Sequence, residues 1–179
     1  MEHPPETIAS GPVVLRRRRA ADAAAVDRLV TESLDHLLPW MPWAAHHDAA
    51  AATAYTADCE RHWESGEAYD YAITCDGQDV GNCSLMRRIG PGGLEIGYWL
   101  HPAWTGRGLA TAAARALVEA AFALPGTGRV EIHHDAANHA SGAVARRAGL
   151  TEAERRPAAP DAPQASGECG IDVVWRTTR

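Results

Sequence analysis

The residues best placed to do chemistry in this sequence are two closely spaced glycines, Gly106 and Gly108. Apolar residues recur every three to four positions after them, which predicts an amphipathic helix over 106–124 that Pro125 ends. The first N–H groups of a helix lack partners within it, and the helix dipole places partial positive charge there. Glycines at that point let an anion approach the backbone, so the segment predicts a diphosphate site. An ordinary strand-to-helix turn explains the same pattern.

The helix must be positioned by the segment before it. Residues 94–100 are aliphatic or aromatic apart from Glu95 and Gly97, which predicts a strand. The six residues that begin at Thr105 then resemble the acetyl-CoA motif of the GNAT N-acetyltransferase superfamily. That motif is Gln or Arg, any two residues, Gly, any residue, and Gly or Ala. Thr105 departs from it at the first position, while the backbone amides that bind phosphate are retained.

Two further segments resemble the Rim-type branch of this superfamily, whose members acetylate the N-termini of ribosomal proteins. They are the stretch 95–102 and the pair Asn138 and Ser141. The resemblance extends from about Val13 to Trp175. It implies an α/β GNAT fold in a single domain over 12–179, after a flexible tail at 1–11. In that fold a mixed central sheet of about seven strands is flanked by about four helices, and two central parallel strands splay apart to admit the pantetheine arm.

The expected reaction is direct attack of a primary amine on the thioester of acetyl-CoA, which requires neither a metal nor a covalent intermediate. We select Glu95 as the base, because it shares a strand face with Gly97 and Trp99 and apolar surroundings would raise the pKa of its carboxyl group. A surface glutamate on a strand edge is the alternative. The Rim-type resemblance, with a proposed catalytic glutamate here, favours the base. His133 and His134 are the other candidates, because histidine titrates near neutrality.

Ser141 is the candidate for protonating the leaving thiolate. Many GNAT enzymes use a tyrosine four residues before the glycine that ends this helix, but that position is Ala145 here. The Rim-type pattern instead places a serine three residues after Asn138. Both Asn138 and Ser141 are also ordinary residues for the start of a helix. A thiol with a pKa of about 8.5 leaves readily as thiolate, so the help expected from Ser141 is modest.

An aromatic loop at 40–43 is expected to line the acceptor site, as the corresponding loop does in Rim-type relatives. Two prolines keep this segment from being helical, and its large side chains either join the core or form a wall of the site. The expected acceptor residues are Trp40, Met41, Trp43, Asn82 and His134. The residues expected to hold acetyl-CoA are Trp99, Leu100, Thr105, Gly106, Arg107, Gly108, Leu109, Ala110, Thr111 and Asn138. A backbone N–H near Trp99 or Leu100 is the expected oxyanion donor.

The composition limits the classes of partner that the protein is expected to bind. The formal net charge of −6 argues against nucleic acid, and no apolar run approaches the ~20 residues of a membrane span. Four scattered cysteines without a C-x-x-C pair suggest neither zinc nor disulfides, so a reducing cytoplasm is the simplest location. The leading acceptor is a protein N-terminus, with a small amine or antibiotic as the alternative. The sequence does not decide between acetyl and larger acyl groups such as succinyl, nor whether the chain forms a homodimer, as relatives often do.

Two other functions are compatible with the same features. The first is a non-catalytic module that binds or senses acyl-CoA, against which the presence of both Glu95 and Ser141 argues. The second is a protein that binds nucleotide phosphates. It is disfavoured because the sequence has no P-loop motif with its lysine and magnesium-binding hydroxyl.

Overall fold

An open mixed sheet of eight strands forms the centre of the computed structural model, which describes residues 2–179. The strands are β1 (Thr7–Ser10), β2 (Val13–Arg17), β3 (Ala68–Cys75), β4 (Gln78–Met86), β5 (Gly93–Leu100), β6 (Arg129–Asp135), β7 (Thr151–Pro157) and β8 (Ile171–Thr178). The helices are α1 (Ala23–Thr31), α2 (Leu34–Leu37), α3 (Ala49–Ser65), α4 (Leu109–Ala123) and α5 (His139–Arg147). The strand order is β1-β2-β3-β4-β5-β6-β8-β7, so the predicted mixed α/β sheet is confirmed with one strand more than expected.

The centre of the sheet opens into a gap between β5 and β6. These two strands are the parallel pair, and they are paired only from Gly93 to Ile96. Beyond Ile96, β5 stays on β4 as far as Leu100, while β6 stays on β8 as far as Asp135. The predicted splaying of two central parallel strands is therefore present, and the gap lies at the end of β5 that leads to α4.

The two faces of the sheet differ in character. Alternation along β5 places Leu94 and Ile96 on the face that packs against α4, in the main hydrophobic core. Glu95, Gly97 and Trp99 lie on the opposite face, where Trp99 packs against a second hydrophobic cluster formed by α1, α2, α3 and the loop between α2 and α3. We call these the α4 face and the α1 face.

Helix α4 lies close to its sheet because its buried side is mostly alanine. Ala113, Ala114 and Ala121 are fully buried, and Leu109 and Leu117 fill the space between them. A short turn, Pro102–Trp104, and the two glycines separate β5 from this helix. The strand, turn and helix thus follow one another in the order that the sequence predicts.

Two local features differ from the expectations. The additional strand is β1. It lies inside the segment 1–11, for which the sequence predicts a flexible tail, and it pairs with β2. It is held in place because Glu6 forms ion pairs with Arg17 and Arg19. The apolar pattern that follows Asp22 predicts one helix through Leu38, whereas the structure has two, α1 and α2. The break falls at Ser33, whose hydroxyl donates to the carbonyl oxygen of Leu29 at 2.7 Å and so competes with the helical backbone.

No helix within residues 2–179 is long and apolar enough to cross a membrane.

Candidate active site

The start of α4 presents a row of backbone donors. Gly106 and Gly108 have φ of +74° and +76°, a conformation that glycine adopts without strain, and together they turn the chain into the helix. Within residues 2–179, the N–H groups of 106–111 donate to no backbone or side-chain acceptor. Residues 105–108 are exposed. This helix tip therefore fits the diphosphate of a CoA molecule, which needs several converging N–H donors.

The Arg107 side chain does not cover this helix tip. Its guanidinium lies 4.7 Å from the centroid of the Trp104 ring and donates to the carbonyl oxygen of Ala103 at 3.0 Å. Thr105 is similarly folded back, with its hydroxyl donating to Pro102 at 2.9 Å. In this arrangement both residues offer their backbone, and not their side chains, to a ligand at the tip.

Ser141 and Asn138 lie at the start of α5, facing the strand gap. The Asn138 side chain accepts from the Ser141 N–H at 3.1 Å and so caps the helix. The Ser141 hydroxyl in turn lies 2.8 Å from the phenol oxygen of Tyr98. Burial raises the pKa of Tyr98 to about 12, so its phenol stays protonated at neutral pH. Tyr98 is not among the site residues that the sequence predicts, although its place on the α4 face of β5 follows from alternation with Ile96.

His134 points away from the aromatic loop. It lies on the α4 face, where its Nε2 accepts from the indole N–H of Trp175 at 2.9 Å. Its Nδ1 must then carry the proton, which it donates to the carbonyl oxygen of Asp135 at 2.7 Å. A Cβ on Gly142 would come within 3.1 Å of the ring, so α5 packs directly on it. The structure thus separates His134 from Trp43 and Trp99.

Glu95 lies on the α1 face and is almost fully buried, with 5% of its surface exposed. Both of its carboxylate oxygens are engaged by Arg88, whose Nε donates to Oε2 at 2.9 Å and whose Nη2 donates to Oε1. The hydrogen bond to Glu95 raises the pKa of Arg88. Arg88 lies in the loop between β4 and β5, and sequence analysis did not identify it because the strand pattern carries no information about which loop residue folds over Glu95.

His133 lies on the α1 face, two residues beyond Glu131, which is the β6 partner of Glu95, and is the first residue of β6 beyond its pairing with β5. Its Nε2 lies 2.7 Å from Glu131, which also accepts from Arg176 at 2.7 Å. Burial raises the pKa of Glu131, but the hydrogen bonds from His133 and Arg176 outweigh it and lower that pKa overall. A cleft of about 540 Å³ opens above these side chains.

The aromatic loop reaches the same face further along β5. Its second proline begins a short 3-10 helix, Pro42–His46, so the prediction that the prolines keep the segment from being helical is wrong from Pro42 onward, because proline is tolerated in the first turn. The rings of Trp43 and Trp99 are 6.2 Å apart, and Trp43 remains 44% exposed. Met41 packs into the cluster that includes Trp99, whereas Trp40 is half-buried outside it. The loop is held by the N–H of Gly167, which donates to the carbonyl oxygen of Pro39 at 2.9 Å.

Asn82 is the neighbour of Trp99 on β4 and is buried beneath it. Its side-chain oxygen accepts from Nε of the fully buried Arg18 at 3.1 Å. Next to it, the N–H of His101 donates to the carbonyl oxygen of Val80 on β4. Because N–H groups alternate in direction along a strand, the N–H of Leu100 points to the other side, toward the gap.

Comparison with known proteins places this geometry in a family. The family model described as an acetyltransferase (GNAT) domain matches residues 13–151. The chain belongs to the GNAT acetyltransferase family. Its sequence is 28% identical over 144 residues to YdaF of Bacillus subtilis, a candidate ribosomal N-acetyltransferase, with 78% of each chain covered.

Solved structures of GNAT enzymes share the whole fold. The ribosomal L7/L12 alpha-N-protein acetyltransferase RimL, in complex with CoA, superposes with a TM-score of 0.87 at 23% identity, covering 97% of this chain and 98% of that one. RimJ of Mycobacterium smegmatis, in complex with a CoA disulfide, gives 0.85 at 25% identity, with 99% and 90% covered. The microcin C7 immunity acetyltransferase MccE, in complex with acetyl-CoA and AMP, gives 0.84 at 18% identity, with 94% and 93% covered.

Proposed function

We propose that this GNAT protein transfers the acetyl group of acetyl-CoA directly to the α-amine of a protein N-terminus. The observation that carries the proposal is the position of the unpaired N–H groups of 106–111 next to the gap between β5 and β6. A diphosphate held at the helix tip leaves the pantetheine arm free to enter that gap. RimL and RimJ, which resemble this chain over nearly its whole length, were both solved with CoA or its disulfide.

Backbone N–H groups bind the diphosphate of the cofactor. The helix tip, Gly106 to Thr111, takes the diphosphate, with Thr105 and Arg107 contributing through their main chains. Trp99 and Leu100 border the gap from β5, and Asn138 borders it from α5. Acetyl-CoA supplies an activated thioester when bound, and no metal is needed for the reaction. The N–H of Leu100 is the proposed donor to the oxyanion, because it faces the gap.

Proton transfer from the amine is assigned to Glu95. It lies on the α1 face, from which the acceptor approaches, while the cofactor occupies the gap. Its pairing with Arg88 orients the carboxylate, and an incoming ammonium can replace one of the two guanidinium contacts. His133, oriented by Glu131, is the competing base on the same face. Ser141, supported by Tyr98, is positioned to protonate the thiolate from the α4 face.

The acceptor assignment rests on chemistry and on relatives. An α-amino group has a pKa of about 7.7–8.0, whereas a lysine side chain has a pKa of about 10.4. A single carboxylate can therefore deprotonate an α-amine more easily than a lysine side chain. The exposed Trp43, with Met41 and Trp99, offers an open apolar wall suited to a peptide end. Trp40, from the same loop, and Asn82, the β4 partner of Trp99, are the other acceptor residues of the proposal. RimL is described as acting on the α-amine of a ribosomal protein.

A thiol-release assay with acetyl-CoA tests the proposal. The acceptors are peptides with free N-termini, the same peptides with blocked N-termini and one lysine, polyamines and aminoglycosides. We expect thiol release and a mass increase of one acetyl group only with free N-termini. Transfer only to polyamines or aminoglycosides would show that the acceptor is a small amine and not a protein N-terminus. Thermal stabilisation by CoA without thiol release from any acceptor would instead indicate a binding module. A parallel assay with succinyl-CoA tests whether the enzyme transfers a larger acyl group than acetyl.

A further inference from the structure

The cleft above Glu95 has walls made largely of arginine. It lies on the α1 face, where β5, β6, β8 and β7 run side by side. Its charged lining consists of Arg88, Glu95, Arg129, Glu131, His133, Arg156 and Arg176. We call it the arginine cleft.

The acidic and basic members of the arginine cleft differ in depth. The side chains of Glu95 and Glu131 are only 7% and 5% exposed, whereas those of Arg88 and Arg176 are 61% and 40% exposed. The carboxylates therefore form the floor, and the guanidiniums they hold stand above it. A guanidinium fixed in this way loses little freedom when it binds a further anion.

Several guanidinium N–H groups in the arginine cleft are left unused. Within residues 2–179, Nη1 of Arg88 and both Nη atoms of Arg176 donate to no protein acceptor. Arg129, by contrast, uses its groups on the carbonyl oxygens of Pro91 and Ile89 and on Glu131. The available donors thus belong to the arginines next to the two buried carboxylates.

The charges of the arginine cleft are unevenly distributed. Arg156 is paired with two carboxylates, Asp172 and Glu154, which lie 3.1 Å and 3.4 Å from it, so negative charge is in excess at that end. The other three arginines face only two carboxylates, Glu95 and Glu131. The positive charge is therefore in excess at the end of the cleft that contains Glu95.

The arginine cleft continues into the place where the proposed reaction occurs. Along β5, Glu95 lies in the cleft, Gly97 follows without a side chain, and Trp99 carries the aromatic wall. Alternate residues of a strand are about 7 Å apart, so an amine at Gly97 lies about that far from Glu95, which holds Arg88. Arg176 lies level with Glu95 and two strands away, on β8. This step rests on the proposed function, because it takes Gly97 as the position of the acceptor amine.

We propose that the arginine cleft selects acceptors that carry a carboxylate close to the reactive amine. Nη1 of Arg88 and the terminal nitrogens of Arg176 are the donors that bind it. The carboxylate has two sources, namely an acidic side chain next to a protein N-terminus and the α-carboxylate of a free amino acid. Charge-assisted hydrogen bonds of this kind are stronger than neutral ones, so a carboxylate should bind these donors more tightly than an amide does.

Three matched peptides test this selection: Ser-Glu-Ala-Ala, Ser-Gln-Ala-Ala and Ser-Lys-Ala-Ala, with amidated C-termini. Serine and serinamide form a second arm that distinguishes a free amino acid from a peptide. We expect the glutamate peptide to exceed the glutamine peptide roughly tenfold in kcat/KM, through KM, with the lysine peptide lowest. A preference for serine over serinamide, without one between peptides, would assign the carboxylate to a free amino acid. Equal kcat/KM for all three peptides and for both small amines would overturn the proposal.

Substitution of Arg176 localises the effect. Arg176→Gln should reduce the ratio of kcat/KM between the glutamate and glutamine peptides to about twofold, and Arg176→Lys should restore part of it. Arg155→Gln is the matched control, because Arg155 is exposed and paired with Glu152 outside the arginine cleft. An unchanged preference in Arg176→Gln would overturn the assignment.

A binding measurement separates this inference from the proposed function. Calorimetric titration of the three peptides into the CoA-bound protein reports carboxylate selection without any transfer. Tighter binding of the glutamate peptide supports the arginine cleft even where no peptide is acetylated, in which case the proposed function alone fails. Equal affinities for all three peptides and, in a parallel titration, for serine and serinamide overturn the cleft's role whether or not transfer occurs.

Discussion

The phenol oxygen of Tyr98 lies 2.8 Å from the hydroxyl oxygen of Ser141, so a side chain of β5 reaches the first turn of α5 beside the strand gap. The same phenol lies 3.1 Å from the Ser141 carbonyl oxygen, to which it can donate while accepting from the serine hydroxyl. Many GNAT enzymes use a tyrosine of this helix, and here that position is Ala145. A phenol is therefore supplied to the same region from a different element.

Replacing Tyr98 by Phe tests whether the two hydroxyl groups act together. We expect Tyr98→Phe and Ser141→Ala each to lower kcat roughly tenfold, because a thiolate with a pKa of about 8.5 needs only modest help in leaving. The double variant should be no slower than the slower single variant, since the groups form one unit. Steady-state kinetics of the four proteins measure this coupling.

A control for this pair is Tyr71→Phe, which also removes a buried phenol that donates to a backbone oxygen, that of Pro5. It should cost about 1 kcal/mol of stability and leave kcat unchanged. Independent, multiplicative losses in the Tyr98 and Ser141 variants would contradict their cooperation. Complete loss of turnover in folded Ser141→Ala would contradict the modest role of that hydroxyl.

If the start of α4 binds the diphosphate, Gly108→Ala should weaken the binding of CoA more than a matched glycine substitution elsewhere does. A side chain at φ of +76° costs about 1–2 kcal/mol of stability, and it also obstructs the approach of a phosphate. Gly126→Ala is the matched control, because Gly126 has the same φ and equally open surroundings, just beyond the other end of α4. Both variants should melt lower by similar amounts, and only Gly108→Ala should bind CoA at least tenfold more weakly by calorimetry.

If Glu95 on β5 is the base, its substitution should lower kcat far more than substitution of His133 on the neighbouring strand β6. Glu95→Gln should lower kcat about 100-fold or more, since general bases contribute on the order of 10²–10⁴. His133→Asn, on the same face of β6, should retain activity within a few-fold and shift mainly KM. The reverse ranking, measured with one N-terminal peptide at several pH values, would assign the proton transfer to His133.

Acid stability should depend on Asp135, which ties the start of α5 to the start of β8. Its carboxylate accepts from the N–H groups of Ala137, Cys169 and Gly170 at 2.8–3.0 Å. Burial raises the pKa of Asp135, but these backbone hydrogen bonds outweigh it and lower that pKa to about 2. Because the folded pKa lies below the unfolded value of about 3.9, this stabilisation is present above pH 4 and is lost as the pH falls toward 2.

Thermal melts between pH 2 and pH 7 measure this effect. Asp135→Asn should lower the melting temperature at pH 7 by about 5 °C, and the difference from the unmodified protein should shrink as the pH approaches 2. Asp58→Asn serves for comparison, because Asp58 is held only by a surface ion pair with Arg61. A pH-independent difference would mean that Asp135 acts through packing and not through its charge.

Local sequence patterns were sufficient to predict the elements that are proposed to bind acetyl-CoA. The strand at 93–100, the two glycines and the alanine-faced helix each have a strong local signal, and the crossover between two parallel strands follows from their order. The break at Ser33 was missed because a side chain that bonds back to its own helix leaves the apolar periodicity intact.

The partners of the catalytic candidates were not predictable in the same way. The sequence predicts a partly buried Glu95 in apolar surroundings; the burial is found, but both carboxylate oxygens are paired with Arg88. That contact depends on the path of the loop between β4 and β5. The contact of Tyr98 with Ser141 depends on how α5 is placed after the crossover. Both are tertiary contacts between residues 7 and 43 positions apart, and hydrophobic periodicity contains no information about them.

The central claim is that free backbone amides at the start of α4 hold the diphosphate of CoA, and amide chemical shifts test it most directly. The 19.1 kDa chain is suited to a nitrogen–proton correlation spectrum titrated with CoA and, separately, with pantetheine, which lacks the diphosphate. We predict that CoA shifts the amides of 106–111 most strongly and that pantetheine leaves them in place. Unchanged amides at 106–111 in the presence of saturating CoA would contradict the account.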